Sequence, residues 1–384
     1  MSVFIIVLDI FLLLVFIRIC DKYHTKYRAI SLMLIIVIAI MMGGNTANPD
    51  IYVYKYTYIH GRNSVEVLYT WIIELSKMIG LSFEEFRLEI YCVSIVLIFY
   101  AAAKHMRNVI PFIILYFIFP MMFDSVQTRN FMAMAIMLNA IPLLVNRDRP
   151  HIIKYIILTV LAAGFQLASL FYMVFLLIPI IQKSKNIRRF TIVILGMCIV
   201  FSLNRSTLSA ALTYVSSVLG TLETRISQYG TILTQWGFLY SWLVHFIIFG
   251  ISYLLKRYII SDSADGENDY AVPIIQFCYW ISVISIIYFP FYVVGSFFDR
   301  LYRTVLVISY MFWLSAIQGS TLQAQPTHQN NYGKLIVDKR VLQVGLIIVG
   351  FATYMFFRHI NAQYHETIVS TFFHNNWILN KIVG

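Results

Sequence analysis

Apolar residues run along this chain in long blocks with short polar interruptions, a pattern with too little alternation for half-buried strands. A spanning helix takes about 20 mostly apolar residues, and fewer where flanking cations snorkel. On that measure the pattern predicts spans near 2–20, 29–44, 88–103, 109–123, 130–145, 152–164, 168–182, 190–204, 236–255, 273–294, 301–318 and 341–357. The fold class expected is all-α: a polytopic integral membrane protein of about twelve transmembrane helices, forming one membrane domain over 1–384. The two short runs around Gly164 also fit a hairpin dipping in from one side. Pro120, Pro142, Pro179 and Pro290 fall near run ends, where a missing backbone donor costs little. The first run follows Met1 without a basic stretch or a small-residue cleavage site, so it reads as a span and not as a cleaved leader.

Composition sharpens that picture. Hydrophobic residues make up 60% of the 384 and charged residues 12%, half the charge of an ordinary soluble domain. Cys20, Cys92, Cys198 and Cys278 are far apart in or beside apolar runs and read as small buried hydrophobes, which excludes a disulfide scaffold. The formal net charge of +11 comes without a polybasic stretch, so no nucleic-acid partner is expected and topology must explain it.

One set of alternating loops holds Lys22, Lys26, Arg28, Lys104, Arg107, Arg147, Arg149, Lys154, Lys183, Lys185, Arg188, Arg189, Lys256, Arg257, Lys334, Lys339 and Arg340. These loops are short and dense in charge, so the positive-inside rule places them in the cytoplasm and both termini outside. The outer side then carries the elaborate segments: a first loop at 45–87 with an amphipathic stretch, a second large loop at 205–235 and a tail at 358–384. Its cations are mostly arginine, namely Arg62, Arg87, Arg129, Arg205, Arg225, Arg300, Arg303 and Arg358. Arginine's planar fork suits phosphate and carboxylate, so an anionic ligand is expected there.

Three outer constellations carry candidate chemistry. In the first loop, Asp50 precedes Tyr52, Tyr54, Tyr56 and Tyr58 at period two, which predicts an extended segment with its rings on one side. Such rings form either an aromatic belt at headgroup level or, beside a carboxylate, a platform for sugars. Glu66 and Tyr69 then open the amphipathic stretch. In the second constellation, Asp124, Gln127, Arg129 and Asn130 cluster before a span. A cation at a helix start opposes the macrodipole unless both face an anion; the alternative is an arginine that snorkels. In the third, Asp299, Arg300, Tyr302 and Arg303 enter another span, and the two arginines, three apart, share a helical face. They fit a diphosphate clamp, or an Asp299–Arg303 pair that caps the helix. Walker, zinc-protease, C-x-x-C and nucleophile-elbow motifs are missing, so ATP-driven transport, zinc proteolysis, redox exchange and elbow-type hydrolysis find no support.

Asp50 with the following tyrosines, Glu66 with Tyr69, the Arg129 motif, Gln166 in the next hairpin and the group from Asp299 to Arg303 resemble the EpsG-like membrane family, related to Wzy-type polymerases of O-antigen and capsule synthesis. The resemblance covers about Asp50 to Tyr310. Asn130 stands where the family commonly has glutamine, and Gln166 where it commonly has histidine. The resemblance implies a metal-independent glycosyltransferase without cofactor at the periplasmic face of a bacterial inner membrane. Undecaprenyl-diphosphate-linked oligosaccharide is the implied donor and acceptor, membrane lipids surround it, and a chain-length regulator is a further partner. Arg129, Arg300 and Arg303 would hold diphosphate, and Asp50, Glu66 and Asp299 are open candidates for the base. Tyr52, Tyr56, Tyr69, Gln127, Asn130, Gln166 and Tyr302 are the sugar-binding candidates. A lipid-linked oligosaccharide flippase is the competing class, and so is a membrane acyltransferase built on the intramembrane His245.

Overall fold

The computed structural model describes residues 3–61, 66–146, 149–204, 237–262, 271–295, 298–323, 339–360 and 365–383. Among these every regular element is helical and no strand forms; a lone bridge pairs Asn45 with Asn376. Among the described residues four helical segments are long and apolar enough to cross a membrane, at Phe83–His105, Lys185–Leu203, Phe238–Ser261 and Ala271–Val294, with further shorter apolar helices. The protein is an all-α membrane protein. The expected span at 109–123 breaks at Phe119–Pro120 into two short helices, and the one at 168–182 becomes a 3-10 stretch, Leu167–Leu176, followed by a short helix. The loop expected at 205–235 lies outside the described residues.

The chain divides into two compact units, one of residues 1–143, 151–173 and 324–384 and one of residues 144–150 and 174–323. The first unit holds α1 (Val3–Lys22), α2 (Arg28–Gly43), α3 (Ile51–His60), α4 (Val67–Met78), α5 (Phe83–His105), α6 (Ile110–Ile118), α7 (Met121–Val126), α8 (Thr128–Ala140) and α9 (Ile152–Phe165). At its centre α5 packs against α1, α2 and α8, and α8 packs against α9. A capping box starts α5: Ser82 Oγ accepts from the Glu85 N–H and the Glu85 carboxylate accepts from the Ser82 N–H, satisfying donors that a helix end would otherwise leave orphaned. Lys104 lies in the last turn of the same helix, where a cation suits its dipole.

The second unit holds α10 (Leu177–Lys183), α11 (Lys185–Leu203), α12 (Phe238–Asp262), α13 (Ala271–Ile284), α14 (Phe289–Val294) and α15 (Asp299–Gln323). In it α12, α13 and α15 pack on one another, and α11 packs on α14. Cys20 and Cys278 are buried, Cys92 and Cys198 partly so, and all four are free thiols.

The C-terminal segment, with α16 (Lys339–Ile360), α17 (Thr371–His374) and α18 (Trp377–Val383), belongs to the first unit and folds back on the end of α2. Asn376 Nδ2 donates to the Ile40 carbonyl (2.8 Å), Thr46 N–H to the Asn375 carbonyl (2.8 Å) and Trp377 N–H to the Gly44 carbonyl (3.0 Å). The tail and the start of the first loop therefore occupy the same end of this unit.

Candidate active site

Residues 51–60 form the helix α3, not an extended segment, and this redistributes the tyrosines. Asp50 takes the N-cap position, its N–H donating to Asn48 Oδ1 (3.2 Å), and Gly61 ends the helix at a φ of 70°, which a side chain would resist. At 100° per residue, tyrosines two apart point to opposite faces. Tyr54 and Tyr58 are buried, whereas Tyr52 and Tyr56 are exposed. Tyr58 is the structural member: its hydroxyl donates to the Leu81 carbonyl (2.7 Å) and its ring lies against Phe83 and Phe86. The expectation of four rings on one face fails because that buried stripe, spaced by four, wins a helix over the alternation.

After a link outside the described residues the chain re-enters at Glu66, which stands before α4. The amphipathic stretch is helical as expected, burying Tyr69, Ile73 and Ser76 while turning Val67, Trp71, Leu75 and Met78 outward. The outward stripe is apolar, which suits a helix lying in a membrane interface. Its approach to α9 is set by Gly164, where a Cβ would come within 2.6 Å of the Leu68 side chain.

Arg129, in the first turn of α8, meets this loop. Its guanidinium pairs with Glu66 at 2.5 Å and lies 5.5 Å from the ring centre of Tyr54 and 5.9 Å from that of Tyr69. The two rings stand edge to face, 6.3 Å apart. Glu66 is 2% exposed and Arg129 about a quarter exposed, so the pair is largely withdrawn from solvent. Arg129 Nε is buried and has no acceptor among the described residues. Gln127 gives α8 no side-chain cap, so the backbone N–H groups of its first turn add to the same donor-rich end. Tyr69, buried beside Tyr54, has its hydroxyl pKa pushed up by desolvation and stays protonated.

Other residues tie α7 and the start of α8 to α2, α5 and α6. Arg87 of α5, 2% exposed, donates to the carbonyls of Met42 (3.0 Å), Asn45 and Ser125. Tyr91 donates to the Ser125 carbonyl (2.6 Å) and lies 3.1 Å from Thr128 Oγ1, while Tyr116 donates to Asp124 Oδ2 (3.2 Å). Arg87, grouped by sequence with the anion-seeking outer arginines, instead binds carbonyls that terminate α2 and link α7 to α8.

The structure thus gathers Glu66, Tyr69 and Arg129, and adds Tyr54, which the sequence had grouped with its neighbours but not singled out. A helical reading of 50–60, with its Tyr54/Tyr58 pair, is the signal that finds it. Asp50 is one turn before Tyr54, whose N–H donates to the Asp50 carbonyl (3.0 Å). Asn130 is buried with its Nδ2 lacking an acceptor among the described residues, on a different face of α8 from Arg129. Gln166 caps the end of α9, two residues past Gly164. Tyr52 and Tyr56 point away from Tyr54, and are not part of this cluster.

The second unit has its own cluster. Asp299 opens α15 ahead of that helix's apolar run and accepts from Ser241 Oγ of α12 at 2.7 Å. Burial pushes its carboxyl up to about 6, against the opposing pull of the Ser241 hydrogen bond and the nearby positive charges of Arg303 and Arg300. Arg303 is buried and Arg300 partly exposed. Tyr302 is also buried, its ring in T-shaped contact with those of Tyr240 and Tyr292. One turn below Ser241 on α12, His245 is 1% exposed and its Nε2 lies 2.6 Å from the Tyr292 hydroxyl. It is a packed, hydrogen-bonded histidine, without the access an acyltransferase base requires.

The family model of the EpsG family matches residues 28–326. No curated protein and no solved structure matches the chain.

Proposed function

The chain belongs to the EpsG family, and on that premise we propose that it is a polysaccharide polymerase at the periplasmic face of a bacterial inner membrane. It moves a glycan from undecaprenyl diphosphate to the sugar end of a second lipid-linked repeat. The acceptor hydroxyl oxygen bonds to the anomeric carbon, the bond from that carbon to the diphosphate oxygen breaks, and undecaprenyl diphosphate leaves with the electron pair. The hydroxyl proton passes to a carboxylate.

One observation carries the reading: Arg129 is held by Glu66 on one nitrogen, flanked by Tyr54 and Tyr69, and keeps a buried Nε–H without an acceptor among the described residues, at a helix N-terminus without a side-chain cap. Preorganised donors in a poorly hydrated place stabilise the charge that develops on a leaving diphosphate. Glu66, buried and spent on Arg129, orients that guanidinium and is not the base. Asp299 has the properties of a general base, since its raised pKa brings it nearer to working pH while it stays largely ionised at neutrality. Arg300 and Arg303 form a second cationic centre, and the reaction has two diphosphate-bearing partners. Asp50 remains the alternative base, and Gln127, Asn130 and Gln166 are the candidates for sugar contacts. A chain-length regulator is the protein partner.

The decisive experiment incubates the purified full chain with undecaprenyl-diphosphate repeats and follows glycan length. Elongation without added metal or nucleotide supports the proposal. Movement of the lipid-linked repeat across vesicles without any new glycosidic bond would establish a flippase in its place.

A further inference from the structure

The first unit contains a groove of about 690 Å³, within the range that holds a small ligand, and none of the residues assigned to the reaction lines it. Its walls are apolar, with Leu68 and Trp71 from α4, Met132 and Ile136 from α8, and Ile157 and Phe165 from α9. Its charge is confined to one mouth, where Lys104 ends α5 and Lys154 lies in the first turn of α9. No carboxylate lines it among the described residues, and neither lysine is in an ion pair there.

From Lys154 to Phe165 the α9 wall rises roughly 16 Å at 1.5 Å per residue, about half of the ~30 Å hydrocarbon core and so the depth of one leaflet. Beside this wall α9 turns Ile153, Ile156 and Val160 outward, so the groove lies where α9 would meet lipid.

We propose that this groove binds an anionic glycerophospholipid, one acyl chain lying between α4, α5, α8 and α9 and the phosphate seated on Lys104 and Lys154. Charge complementarity selects this occupant. A zwitterionic lipid would bring its own ammonium to the lysine mouth, and a lipid entering head-first from the opposite mouth would find no cation in the lining there, since Arg129 is not part of it. By the loop charges the lysine mouth faces the inner leaflet. The inference does not depend on the polymerase reading, because it uses neither the reacting groups nor the proposed substrate.

The test is native mass spectrometry of the full chain in detergent, titrated separately with phosphatidylglycerol, phosphatidylcholine and a polyprenyl phosphate. Phosphatidylglycerol should bind roughly thirtyfold more tightly than phosphatidylcholine, as two lysines at about 1 kcal/mol each near an anionic headgroup imply. The preference should vanish in Lys104→Gln/Lys154→Gln and persist in Lys104→Arg/Lys154→Arg. Ile157→Trp, which fills the groove and leaves the charges, should lower occupancy by all phospholipids. Equal binding of the two phospholipids by the unaltered protein, or a preference that survives the double glutamine variant, overturns the proposal. Polyprenyl phosphate outcompeting phosphatidylglycerol equally well in unaltered and glutamine variants would assign the groove to an isoprenoid chain and likewise overturn it. Failure of glycan elongation would leave all these readings unchanged.

Discussion

At Arg129 a lysine would keep the charge and lose the fork that can hold Glu66 and an oxyanion together. Arg129→Lys should lower elongation by about an order of magnitude or more at equal protein level, measured as glycan length against time; unaltered ladders would reduce Arg129 to an interface anchor. Asp299 makes a prediction of opposite sign for stability and activity. Its pKa is raised to about 6, so the fold favours the neutral acid. That contribution is complete below the ordinary carboxylate value and is lost as pH rises through about 6. The ionised form needed for a base appears over the same interval. Asp299→Asn should therefore be no less stable than the unaltered protein at pH 7.5, and inactive, while activity of the unaltered protein should fall as pH drops through about 6. Thermal unfolding and rate profiles across that range check both, and full activity in the asparagine variant would move the base to Asp50.

Between elements, the placement of the first loop depends on two close fits. Tyr58 and Ser76 tie α3 to the α4–α5 turn, with Ser76 Oγ donating to Tyr58 Oη at 3.2 Å. Gly164 lets α4 lie directly on α9. Gly164→Val should push Leu68 and with it Glu66 away from Arg129, costing about 1–3 kcal/mol by overpacking and most of the activity. Truncating the neighbour in Gly164→Val/Leu68→Ala should recover a large part of both, which a double-mutant comparison of melting temperature and rate would show. Additive losses would mean that the two helices do not set the site together. The same elements show why the tyrosine pattern of α3 is ambiguous in sequence: alternation along one strand and two opposed stripes on one helix give the same string of tyrosines. Only the packing of Tyr54 and Tyr58 against neighbours distant in sequence distinguishes them.

For the molecule as a whole, the loop charges divide the chain between two faces, and the first unit has two ends to set beside them. Lys26 and Arg107 meet at one end, where the Lys26 N–H donates to the Arg107 carbonyl (2.8 Å), while the tail and the first loop meet at the other. An impermeant maleimide should label Met78→Cys, at an outward position of α4, in cells with a permeabilised outer membrane, and label Arg107→Cys only after the inner membrane is opened. The reverse pattern would invert the topology and remove the periplasmic site. The sequence by itself determined the bilayer environment, the helical class and the family resemblance, because apolar content and short motifs need no neighbours to be recognised. Only the tertiary structure decided that Glu66 serves Arg129, that Arg87 binds backbone carbonyls, that Tyr54 belongs to the cluster and Tyr52 and Tyr56 do not. Those assignments depend on which groups burial brings within hydrogen-bonding distance across tens of residues, and a one-dimensional pattern carries no record of it.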